Sequence, residues 1–181
     1  MYGLQPRKGD FVKKLFKIMG FCLSLGLILW GLCACSGGAD STELKEGVTL
    51  QDIVDEVDSQ IGMQMPGDID DTLLSDMYYM DMNNVETYAG KASLTMTSCD
   101  TVIGVKAVPG KIDAVANALK QRQQDLIDQF SKYLPSQYQK AQAGVVMVRG
   151  DYAFLIIIGQ SEETINEDVQ KAEDIINSYF K

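Results

Sequence analysis

Apolar residues recur along this chain in several spacings, and each spacing predicts a different kind of element. Over residues 18–34 they run for 17 positions without a charge. From Leu50 they return at helical spacing: Leu50, Ile53, Val54, Val57 and Ile61 form one stripe, with Thr49 placed to cap it and Gly62 to end it. Pro66-Gly67 opens a loop, and residues 71–80 predict a short second helix starting near Asp70 or Asp71.

Alternation then replaces the helical period. Residues 85–96 put Tyr88, Ala92, Leu94 and Met96 on one face and Lys91, Ser93 and Thr95 on the other. Residues 101–108 group Ile103, Val105 and Ala107. Residues 98–100 form the turn between these strands, and Pro109-Gly110 ends the second. A long helix follows over 111–134, with Val115, Leu119, Leu126, Phe130 and Tyr133 on one stripe and Pro135 as its stop.

Residues 144–149 and 152–159 predict a hairpin around the two-residue turn Gly150-Asp151. Both strands are apolar on both faces, which predicts a sheet covered on both sides. Phe154, Ile156 and Ile158 are expected toward the long helix. Leu155 and Ile157 are expected on the opposite face, covered by the N-terminal helices or else by a partner or a second copy. Residues 162–180 close the chain as a helix, with Ile165, Val169, Ala172, Ile176 and Tyr179 inward and Glu162 and Glu163 in its first turn. The order is ααββαββα: an α+β, two-layer fold with a four-stranded antiparallel sheet and packed helices.

The uncharged run has a different meaning. Arg7, Lys8, Lys13, Lys14 and Lys17 precede it, opposed by Asp10 alone, and Leu32-Cys33-Ala34-Cys35 closes it. A basic flank, an apolar core and a small residue before a cysteine are the parts of a lipoprotein signal. The expected organisation is a signal peptide over 1–34, a flexible tether over 35–48 from a lipidated Cys35, and one globular domain over 49–181. Acylation turns a spanning segment into an anchor, at about 0.8 kcal/mol per buried methylene. The expected location is the extracytoplasmic face of a cell membrane, with membrane lipid as a partner through Cys35.

Processing changes the charge. Loss of residues 1–34 removes five basic residues and one acid and leaves 11 Lys/Arg against 24 Asp/Glu, net −13. That balance opposes nucleic-acid binding. Cys99 is then the one cysteine besides Cys35, so no intrachain disulfide is expected, and it reads as a small buried side chain.

Chemistry-bearing patterns are few. The chain has no histidine, and no nucleophile elbow, phosphate loop or paired metal-ligand motif. No catalytic residue, metal or cofactor is expected. Asp68, Asp70, Asp71 and Asp76, followed by Asp81, Asn83, Asn84 and Glu86, could offer oxygens to a hard cation. The EF-hand glycine and terminal glutamate are missing, however, and helix caps and turns account for these residues. Arg149-Gly150-Asp151 reads as a hairpin turn. Arg122 falls on the apolar stripe of the long helix, where its stem can pack while its head pairs or binds an anion.

Arg122, the run Tyr133-Leu134-Pro135-Ser136-Gln137-Tyr138 and the hairpin residues Gly150-Asp151-Tyr152 resemble the bacterial lipoproteins grouped as domain of unknown function 4358, found chiefly in clostridia-like Firmicutes. The resemblance spans roughly residues 50–180 and includes the lipobox. One departure is in the second strand, where Thr101-Val102 stands in place of an expected acid. The resemblance implies a cell-surface location in a single-membrane host and no activity. Arg122, Tyr133, Tyr138 and Tyr152 are the candidates for a ligand-binding or structural polar site.

Two functions follow from different classes. One is a non-catalytic binding or accessory module for another surface or membrane protein, expected to show an apolar patch. The other is a small-ligand or cation-binding lipoprotein assisting transport, expected to show a concave site with converging polar groups.

Overall fold

The computed structural model describes residues 42–181. The expected signal peptide, Cys35 and the first part of the expected tether lie outside the described residues. Among the described residues no helix is long and apolar enough to cross a membrane.

Helix α1 (Leu50–Ile61) starts at a capping box. Asp52 N donates to Thr49 Oγ1 at 3.2 Å, and Thr49 N donates to Asp52 Oδ2 at 2.8 Å. Strand β1 (Pro66–Asp68) and helix α2 (Asp71–Met77, capped by Asp70) follow. After a single 3-10 turn at Met82–Asn84 come β2 (Val85–Ser93) and β3 (Thr101–Ala107). Helices α3 (Ile112–Phe130) and α4 (Pro135–Ala143) lead to β4 (Val145–Arg149), β5 (Tyr152–Ile157) and α5 (Ile165–Ser178).

The α+β class holds, and the sheet is antiparallel throughout, but it has five strands in the order β1-β2-β3-β5-β4 rather than four. The added strand is β1, at the expected Pro66-Gly67 loop. Three residues are too few to show alternation, and proline is tolerated at the first position of an edge strand. A Cβ at Gly67 would fall 2.6 Å from Leu94 Cδ2, so a larger residue there displaces the Leu94 side chain. The added helix is α4. Pro135 starts it at the first helical position, where a missing N–H costs nothing. The same residue had been expected only as a stop.

The fold has three layers instead of two. Leu155 and Ile157 face α2, α3 and α4, in a core with Leu74, Val115, Leu119 and Phe130. Phe154, Ile156 and Ile158 face α1 and α5, in a second core with Ile53, Val54, Val57 and Ile176. This reverses the expected parity of β5, because a strand apolar on both faces carries no mark of which face meets which helix. Cover of the second face is intramolecular, and residues 154–158 are all fully buried.

Several boundaries move inward. Strand β2 ends at Ser93, leaving Leu94 and Met96 in water. Helix α3 ends at Phe130, so Tyr133 leaves the stripe and is exposed. Helix α5 begins at Ile165, so Glu162 and Glu163 precede it and Glu167 and Asp168 occupy its first turn. Ile175 replaces Tyr179 among the helix's buried residues.

The sheet separates two poles. The seven residues of β3, at about 3.3 Å each, place them roughly 20 Å apart. The chain enters at one pole. There Leu44 bridges to Phe180, Lys45 N donates to Tyr179 O at 2.9 Å, and Lys181 N donates to Glu43 O at 3.1 Å. Thr42 lies against Gly150, and Ala107 N donates to Asp151 O. The end of α1, the β2–β3 turn, the end of β5 and the start of α4 meet at the distal pole.

Candidate functional site

At the distal pole a cleft of about 510 Å³ opens between the end of α1, Asp100 before β3, α4, and Gly159-Gln160 after β5. On its floor Lys140 Nζ donates to Asp100 Oδ1 at 2.6 Å, with only 9 % and 5 % of the two side chains exposed. Taking two charges out of water is costly, so each needs its partner. Asp100 Oδ2 is held by Gln64 N at 2.9 Å. Asp100 has both oxygens engaged. Lys140 has one of three N–H groups engaged within the protein.

Two amides line the walls in fixed orientations. Gln137 Oε1 accepts from Cys99 N at 3.0 Å, so its NH2 points elsewhere. Gln160 Nε2 donates to Ile61 O at 2.7 Å and Gly62 O at 2.8 Å, which leaves its Oε1 as a spare acceptor. Cys99 is buried behind this wall, and its Sγ donates to Gln137 O at 3.3 Å. Burial pushes its thiol up to about 12, so no thiolate forms near neutral pH. The cleft therefore offers hydrogen-bond donors, acceptors and a neutralised ion pair.

Beside the cleft stands an apolar lip. Met65, Leu94 and Met96 are 64 %, 69 % and 87 % exposed. Leu94 N donates to Met65 O at 3.0 Å, and Ser93 Oγ donates to Gln64 O at 2.7 Å, which ties the lip to the cleft wall. Met65 is held at φ 47, in the left-handed region that costs a non-glycine residue energy.

The four residues expected to share a site are spread over the domain. Arg122, on α3, sets its guanidinium carbon 5.2 Å from the ring centre of Tyr78. Tyr78 Oη and Arg122 Nε are buried near each other, and among the described residues neither atom has a partner in full hydrogen-bond geometry. Burial pushes the Tyr78 phenol up, and the Arg122 charge opposes it. Tyr133 is exposed and packs its ring 5.8 Å from that of Phe130. Tyr138, on α4, accepts from Gln142 Nε2 at 2.9 Å and leans on the core of the α3 layer. Tyr152 belongs to the opposite layer, edge-on to Phe180 at 5.5 Å, and lines a surface hollow at the entry pole.

The acidic run is locally engaged. Asp70 caps α2 through Leu73 N, and Asp81 caps the 3-10 turn through Asn83 N. Asp71 accepts from Tyr88 Oη at 2.5 Å, and Glu86 pairs with Lys106. Among the described residues no three such side chains converge in a way that could hold a metal. Arg149 ends β4 and Gly150-Asp151 makes the hairpin turn, as its spacing predicts.

Asp100 and Lys140, the buried pair, were not among the sequence candidates. They stand 40 positions apart, beyond any helical or strand period. Lys140 also falls in a stretch where the sequence reading had no element.

The chain matches the model of the family described as Domain of unknown function (DUF4358) over residues 55–158. No curated protein and no solved structure matches it. The matched segment runs from within α1 to the end of β5, and so contains all five strands, Asp100, Gln137, Lys140 and the lip. Covering more than half of the sequence, it assigns the chain to the DUF4358 family.

Proposed function

We propose that this chain is a lipid-anchored, extracytoplasmic binding module without catalytic activity, which docks another surface or membrane protein through its distal pole. The observation that carries the reading is the lip. Met65, Leu94 and Met96 expose apolar surface together, at the pole away from chain entry. One of them is held there against backbone preference. Exposed apolar clusters mark interaction sites, and these three side chains are more exposed than Leu73, Met77, Tyr79 and Met82, which are 37–55 % exposed near α2. The net charge of −13 after processing at Cys35 favours a basic partner. The basic leader and Leu32-Cys33-Ala34-Cys35 supply the anchor.

The test is photo-crosslinking in cells, with a photoreactive residue at Met96 and a control at Val148, which is 47 % exposed on the edge strand β4. A discrete heteromeric adduct is expected from position 96 alone, and it should vanish when Met65→Ser and Leu94→Lys are added. Adducts of equal yield from both positions, or adducts indifferent to the lip substitutions, would overturn the reading. A second reading, a small-ligand-binding lipoprotein assisting transport, is supported by the polar groups that converge in the cleft.

A further inference from the structure

We infer that the distal cleft binds a small zwitterion of the amino-acid class, its carboxylate on the Lys140 ammonium and its amino group on Asp100 and Gln160. The inference rests on the ligand-binding reading of the cleft and is independent of docking by the lip. Charge and hydrogen-bond capacity select the class. Lys140 has two N–H groups without an acceptor among the described residues, and the Gln137 NH2 has none either. Gln160 Oε1 is an unengaged acceptor, and each Asp100 oxygen keeps a lone pair beyond the bond it already accepts.

Both amide orientations are forced by chemistry. Cys99 N can only donate, so the Gln137 oxygen must face it. The carbonyls of Ile61 and Gly62 can only accept, so the Gln160 nitrogen must face them. The spare donors thus belong to Lys140 and Gln137 on α4, and the spare acceptors to Asp100 and Gln160.

A simple anion would meet a cation already neutralised by Asp100, inside a strongly acidic protein. A simple cation would meet Lys140. An apolar ligand would cover the spare Lys140 N–H groups, the Gln137 NH2 and the Gln160 oxygen without pairing them, at a cost for each buried group. A molecule carrying both charges a few ångströms apart satisfies both sides and adds no net charge to the buried floor. The volume of about 510 Å³ admits an amino acid or a dipeptide. Ile61 and Met63 at the wall and the open mouth leave the ligand's side chain loosely specified.

The experiment is an NMR titration of the full chain in detergent, following the side-chain amides of Gln137 and Gln160. The probes are alanine and Ala-Ala, with N-acetylalanine (no ammonium), alaninamide (no carboxylate) and glucose as comparisons. Saturable shifts with alanine or Ala-Ala are expected, and each blocked analogue should bind about tenfold more weakly or worse, having lost one charge-assisted contact.

Lys140→Met alone strands a buried carboxylate and can unfold the domain. The double variant Lys140→Met/Asp100→Asn keeps the floor neutral, and it should remain folded and lose the alanine response. Blocked analogues that bind as well as alanine, or a double variant that responds like the wild type, overturn the inference. Glucose binding without alanine binding overturns the ligand class and leaves the cleft a ligand site. No response to any probe overturns both.

Discussion

Lys91 and Lys140 both stand in ion pairs, but only Lys91 is largely consumed by its partners. Lys91, on β2, reaches Asp55 at 2.7 Å and Asp58 at 3.0 Å, both on α1, with 19 % of the lysine side chain and 51 % of Asp55 exposed. It fastens a helix to the sheet at the rim of a layer, where two acids share one cation in reach of water. Lys140, on α4, meets Asp100 alone, deep in the cleft. One pair holds two elements together. The other forms a polar floor with capacity left over. Similar contact distances therefore mean different things, and what separates them is burial and the number of unfilled donors.

Removing the cation in each place should widen that contrast. Lys140→Met leaves the Asp100 carboxylate buried with Gln64 N as its remaining partner, a loss expected at about 3–5 kcal/mol. Lys91→Met leaves Asp55 half in water and Asp58, 17 % exposed, with a bond from Met63 N, so the expected loss is smaller, about 1–2 kcal/mol, and shrinks with added salt. Urea unfolding midpoints of the two variants measure both. Adding Asp100→Asn to Lys140→Met should recover most of the larger loss. Equal losses at the two positions would remove the distinction between fastener and floor.

Cys99 reports on the same wall from behind. Its thiol is raised from an ordinary 9.0 to about 12, first by burial, with Lys140 pulling down and Asp100 pushing up. At about pH 8 that shift cuts the thiolate fraction roughly a thousandfold. Iodoacetamide should therefore modify the Cys99 peptide, resolved by mass spectrometry from the other cysteines, far more slowly in native protein than in urea. Labelling at the unfolded rate would mean that the wall between Cys99 and Gln137 opens freely.

The parts of this architecture that could be read from the sequence are those with a local signature. Thr49 and the Leu50-Ile53-Val54-Val57 stripe announced α1, Gly150-Asp151 announced the last hairpin, and the doubly apolar β5 announced a sheet covered on both faces. Each of these depends on neighbours within a few positions. What escaped depends on distance or ambiguity. Pro135 stops one helix and opens the next, and only the apolar contacts of Leu134, Tyr138 and Ala141 with the α3 layer reveal the second role. Strand β1 shows itself only by pairing with β2, where Gly67 lies beneath Leu94, 27 positions on. The floor of the cleft joins a turn to a helix the sequence did not display, so neither Asp100 nor Lys140 stood out. Arg122 and the three tyrosines did stand out, as a motif, and the fold disperses them between two layers.

The smallest expected effect concerns pH, and it tests whether Lys91 really works through its charge. The hydrogen bond from Lys91 holds the Asp55 carboxyl below its ordinary 3.8. Lys91 in turn is held above its ordinary 10.5, first by its bond to Asp55. The depressed acid contributes stability that is present above pH 3.8 and lost as pH falls through the folded value. The raised lysine contributes stability that is full below pH 10.5 and lost as pH rises through its folded value. Between these limits the contribution is flat. The stability gap between wild type and Lys91→Met should thus stay constant over the neutral range, at about 1–2 kcal/mol, and narrow in acid. Asp52 is also lowered, by its bonds from the Thr49 hydroxyl and backbone. That cap is present in both proteins, so it cancels from the gap while adding to the acid sensitivity of each. Paired urea titrations near neutral pH and at about pH 3 decide the matter. A gap as wide in acid as at neutrality would mean that Lys91 supports α1 by packing its stem rather than by pairing its charge.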